Sequence, residues 1–103
     1  MVVSEILDQI GQRPVVPLPE VAHAVGLPRG TRDVLVRDGA IKPCGGGGRG
    51  KPYLISWDDV VLVVTAVVLA AAAGITITVA IRALRNTGAR VINGAITIPV
   101  GAR

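Results

Sequence analysis

Leu18-Pro-Glu-Val-Ala-His-Ala-Val-Gly26, followed by Leu27-Pro-Arg-Gly-Thr-Arg-Asp-Val-Leu-Val-Arg-Asp-Gly39, is the stretch on which the fold turns. Pro19 suits the first turn of a helix, where its missing N–H leaves nothing unsatisfied, and Gly26 is placed to end that helix. Leu18, Val21, Ala22 and Val25 recur at spacings of three and four, which lays them along one face as a buried stripe. After the Leu27-Pro28 turn, Arg29 to Arg37 reads as a second helix. Thr31 stands near its start, Val34 and Leu35 face inward, and Gly39 is placed to stop it.

Two short helices joined by a tight turn, the second one basic, form the helix-turn-helix pattern, whose second helix enters a DNA groove. Working outward, Ala40-Ile-Lys-Pro43, the glycine stretch Cys44 to Pro52 and Tyr53-Leu-Ile-Ser56 read as a β-hairpin wing. Two short strands flank a glycine loop that carries Arg49 and Lys51 at its tip. A glycine run beside cations also suggests a phosphate cradle, but the Walker pattern needs Gly-Lys-Ser/Thr opening a helix, and Pro52 follows Gly50-Lys51 here.

Ser56 then reads as an N-cap, with Asp58 and Asp59 in the first turn, where the helix dipole favours negative charge. That helix runs from Val60 to about Ala73 and breaks at Gly74. Another carries Ala80, Ile81 and Leu84 and ends near Asn86-Thr87-Gly88. Arg90 to Val100 is a hairpin signal, because Asn93-Gly94 is a favoured two-residue turn between β-branched runs. On the N-terminal side, Ser4 to Gln12 predicts a short helix capped by Ser4, and prolines 14, 17 and 19 force an extended arm after Arg13. The expected fold class is mainly α with a small β wing: one domain over residues 1–103, with a winged helix-turn-helix, a helix pair and a C-terminal β-hairpin.

Composition limits the function. A chain of 103 residues with a single cysteine, Cys44, has room for one modest core and no internal disulfide, so a reducing cytoplasm is its natural home. Acids near the start, Glu5 and Asp8, stand where a signal peptide carries Lys or Arg. Net charge is +4, which favours a polyanionic partner. One His and one Cys far apart in sequence build no nucleophile–base pair and no metal site, and His23 reads as an exposed helix residue. Trp57 reads as packing at a helix start. The expectation is therefore a non-enzyme without cofactor or metal.

From Leu18 to Leu84 the sequence resembles the MerR-type winged helix-turn-helix family, also in its minimal, excisionase-like form. Val21-Ala22 opens the first helix, Gly26 sits at the turn and Thr31 opens the recognition helix. Gly39-Ala-Ile-Lys-Pro43 is similar to the family's Gly-Leu-Ile-Lys-Pro, Ile55-Ser-Trp-Asp-Asp-Val60 to its Tyr-Ser-Glu-Glu-Asp-Leu, and Leu69 to Ile81 to its following helix pair. Asp33 stands where the family has a second Arg, so that backbone contact is not carried over. The family's long dimerising coiled coil, effector domain and metal-sensing cysteines have no counterpart here. The resemblance implies DNA binding, as a small transcription regulator or a phage or mobile-element excisionase, without ligand-sensing activation.

Six of the eleven Lys and Arg residues lie between positions 29 and 51, in the recognition helix and wing. The expected contacts with double-stranded DNA are Arg29, Thr31, Arg32, Arg37, Arg49, Lys51 and Tyr53. Arg29 and Arg32 share a helix face and can reach guanine edges, Thr31 and nearby amides a phosphate, and the wing cations the next minor groove or backbone. Two alternatives stand beside this reading. Residues 60–81 hold 22 positions without a charge, enough for a single membrane span. The other is a winged-helix protein-interaction module that has lost DNA binding. If the segment is soluble, a helix apolar on every side must be covered on every side. That predicts a homo-oligomer through residues 60–81 and the C-terminal hairpin.

Overall fold

The computed structural model describes residues 3–86, 90–92 and 95–97. Five helices and five short strands follow in the order α1 (Val3–Ile10), β1 (Val15–Pro17), α2 (Leu18–Val25), α3 (Arg29–Arg37), β2 (Gly45–Gly46), β3 (Tyr53–Ser56), α4 (Trp57–Ala73), α5 (Ile77–Asn86), β4 (Arg90–Ile92) and β5 (Ala95–Thr97). The protein is mainly helical, with a small three-stranded antiparallel sheet in the order β1-β3-β2.

Helix ends follow the local signals closely. Pro19 lies in the first turn of α2, and Gly26 closes it in the left-handed conformation. α3 has the expected bounds, with Leu35 fully buried and Val34 half-buried. Ser56 caps α4 by accepting a hydrogen bond from the Asp59 N–H at 3.3 Å. Gly74, at φ +69°, ends α4 in backbone that residues with a Cβ rarely adopt. Thr76 then caps α5 by accepting from the Val79 N–H at 3.2 Å. At the start of the chain the expectation is corrected: Ser4 lies inside α1 rather than capping it, and the helix stops at Ile10, two residues before Gln12.

Two corrections concern the sheet. The arm after Arg13 is a strand: Val16 pairs with Ile55, and both are completely buried. Pro14 and Pro17 are compatible with this because β1 is an edge strand, whose outer side needs no donors. The strand that pairs with the other side of β3 is Gly45–Gly46 and not the expected Ala40–Pro43. Ile41 instead turns inward, 2 % exposed, and its N–H donates to the Leu35 carbonyl, so residues 40–41 close the end of α3.

The core gathers Ile6 and Ile10 of α1, Leu18 and Val21 of α2, Leu35, Ile55, the first half of α4 and Ile81 of α5. Trp57 packs against it, half-buried. Val60, Val61, Val63 and Val64 are at most 2 % exposed. The chain therefore covers residues 60–64 by itself, contrary to the expectation that all of α4 needs a second subunit. α1, α2, β1 and α5 all pack on this helix. The second half is different: Val67 and Val68 are half-buried, and Ala71 to Ala73 are exposed.

No single helix is long and apolar enough to cross a membrane among the described residues. α4 and α5 pass such a test only as a pair, and the pair is bent by 112° at the break around Gly74. β4 and β5 pair antiparallel, Val91 opposite Ile96, against α4. The expected Asn93-Gly94 turn lies outside the described residues, as do Thr87, Gly88 and the end of the expected C-terminal hairpin.

Candidate nucleic-acid interface

α2 and α3 present their N-terminal ends on the same side of the molecule as the β2–β3 loop. Between them lies an open cleft of about 150 Å³ lined by Leu18, Pro19, Arg29, Arg32, Asp33, Lys51, Pro52 and Tyr53. That volume is well below the roughly 300 Å³ at which small-molecule sites begin, and suits a single small anionic group such as a phosphate.

Each wall has a local cause. Arg29, Arg32 and Asp33 meet there because positions three and four apart share one side of a helix. Leu35, one turn after Thr31, is fully buried and pins the opposite side of α3 to the core, which turns the arginines outward. Lys51 and Tyr53 arrive from the loop. The Lys51 N–H donates to the Gly48 carbonyl at 2.8 Å, and the Gly47 N–H to the Pro52 carbonyl at 3.2 Å, so the loop folds back on itself. Gly46 at φ +71° makes this possible, since a Cβ there would collide with the Pro52 carbonyl. The Cys44 N–H donates to the Leu54 carbonyl at 2.8 Å and holds the base of the loop, with its thiol exposed.

Of the seven expected contact residues, Arg29, Arg32, Lys51 and Tyr53 line this cleft. Arg49 is exposed at the loop tip and Arg37 is exposed in the last turn of α3, both outside the cleft. Thr31 is half-buried on the side of α3 that carries Leu35. The first turn of α3 still offers backbone donors, because its N-cap, Pro28, supplies no side-chain acceptor.

Sequence reasoning passed over the structural support behind the cleft. The Arg85 guanidinium on α5 donates to the Ala40 carbonyl at 2.9 Å and ties the end of α3 to α5. Nothing local marks Arg85 for this, since the partners are 45 residues apart. Beside it, burial pushes the Asp59 carboxyl above its ordinary value; Arg85 and Lys42 pull it down and Asp58 adds to the rise. Arg13 is withdrawn from the basic surface: it pairs with Glu20 and donates to the Ile10 and Gly11 carbonyls at the end of α1. His23 is exposed, and among the described residues no three His, Cys, Asp or Glu side chains stand close enough to hold a metal ion.

Compared with models of known protein families, with curated proteins and with solved structures, the chain matches none.

Proposed function

We propose that this protein is a winged helix-turn-helix binder of double-stranded DNA, acting in the cytoplasm as a small transcription regulator or as an excisionase-like architectural factor. In this reading α2 and α3 are the helix-turn-helix, α3 lies in the major groove, and the β2–β3 loop is the wing on the adjacent backbone or minor groove. The observation that carries it is the convergence of Arg29 and Arg32 from α3 with Lys51 and Tyr53 from the loop on one phosphate-sized cleft. A duplex strand running between helix and wing places a backbone phosphate there, and Arg49 and Arg37 extend the basic track on either side.

Phosphate neutralisation releases counterions, so affinity must fall with salt. With Arg29 reaching a base edge, four phosphate contacts from Arg32, Arg37, Arg49 and Lys51 imply a slope of log affinity against log salt of about −3.6. Fluorescence anisotropy of a labelled duplex at increasing salt tests the reading. Arg29→Ala with Arg32→Ala is expected to weaken binding and to flatten the slope by about 0.9, the share of Arg32; unchanged affinity in the double variant would overturn the assignment of α3.

The same reading includes a homodimer, now narrowed to the uncovered end of the helix pair. Val25, Val67, Val68, Ala71 and Ala72 line an apolar groove, and Ile75, just past α4, and Val79 on α5 are 37 % and 49 % exposed. A two-fold contact through this surface would present two copies of α3 to two half-sites.

A further inference from the structure

Asp33 is an acid in a basic cleft. It shares the cleft with Arg29, Arg32 and Lys51, yet among the described residues the only ion pair joins Arg13 to Glu20. Its side chain is exposed and, among the described residues, makes no hydrogen bond, so it has no part in the core. A carboxylate on a surface that meets phosphates opposes binding through like-charge repulsion. What compensates for it on a nucleic acid is an uncharged N–H donor, and the major groove provides one in the exocyclic amine of cytosine.

We propose, building on the DNA-binding reading above, that Asp33 sets the sequence preference of this protein by accepting a hydrogen bond from a cytosine amine in the major groove. Arg29 and Asp33 lie one turn apart on one side of α3, about 6 Å along its axis. That is close to two base-pair steps at 3.4 Å each. Arg29 on a guanine and Asp33 on a cytosine one or two pairs away form a two-letter reader, with a cation that tolerates backbone contact and an anion that penalises it. Asp33 thus lowers affinity for indiscriminate duplex and rewards the duplex that offers the amine in the right place.

Selection from a random duplex library with the full chain tests this, comparing wild type with Asp33→Ala and Asp33→Asn. Wild type is expected to enrich a motif with one cytosine that Asp33→Ala no longer selects, its preference there falling roughly fivefold to tenfold. Neighbouring positions should keep theirs, and affinity for random duplex should rise. Asp33→Asn should move the preference at that one position towards adenine, whose N6 and N7 an amide can engage together. Identical motifs in all three proteins would overturn the role of Asp33 while leaving DNA binding intact. A motif that appears only when the carboxylate is removed would overturn it too, by making Asp33 a block to DNA. No enrichment by any of the three would remove the DNA reading and this inference with it.

Discussion

The guanidinium of Arg85 reaches across the molecule to the backbone carbonyl of Ala40 and donates to it at 2.9 Å. The bond joins α5, beyond the bend at Gly74, to Ala40, three residues past the end of α3, and so links the basic helix to a distant part of the sequence. Arg85→Ala leaves that part-buried carbonyl without its charged donor, a loss of about 1 kcal/mol after allowing for exposure to water. In a denaturant titration the midpoint should fall while the slope stays the same. Duplex affinity should weaken as well, although Arg85 lies outside the cleft. A midpoint equal to wild type would show that the bond contributes nothing to the fold.

Asp59 makes stability depend on pH. Its carboxyl is raised above 3.8, chiefly by burial, against the opposing pull of Arg85 and Lys42. A raised value means that the folded state holds its proton more tightly than the unfolded chain. The contribution to stability is thus fully present below the ordinary value of 3.8 and is lost as pH rises through the raised one. Asp59→Asn should remove this part of the acid-range dependence. Carboxyl titration by NMR checks the direction directly, and in Arg85→Ala the Asp59 value should move further upward.

The loop gives a prediction that separates shape from charge. Gly46→Ala keeps every cation, but its Cβ would meet the Pro52 carbonyl at a backbone angle that alanine rarely adopts. A cost of more than about 1 kcal/mol is expected at such a position. Anisotropy should show weaker duplex binding despite an unchanged net charge. Wild-type affinity would mean that Arg49 and Lys51 need no ordered loop to act.

The proposed dimer surface can be tested without touching the core. Val79 is 49 % exposed, so Val79→Asp should leave the fold intact by circular dichroism while placing charge on an uncovered apolar position of α5. Sedimentation at micromolar concentration should show a two-subunit wild type and a one-subunit variant. A wild type that sediments as a monomer would eliminate the proposed self-association.

How much of this was legible beforehand divides along physical lines. The ends of α2 and α3, the Ser56 cap, the break at Gly74 and the crowding of cations between residues 29 and 51 are determined by the sequence itself. Prolines, glycines and capping side chains act on the backbone within a few residues of where they stand. Only the tertiary structure decided that Val15–Pro17 is a strand, because the prolines at 14, 17 and 19 hide the alternation and its pairing partners, Leu54 to Ser56, lie about forty positions away. It likewise placed the second partner of β3 at Gly45–Gly46, since Ile41 finds its place in the core and not in the sheet. The same holds for the burial of residues 60–64 within one chain, the 112° bend, the hold of Arg85 on Ala40 and the placing of Asp33 and Lys51 along one cleft. Each of these joins groups that local backbone preferences cannot relate, and each exists only once the elements have packed.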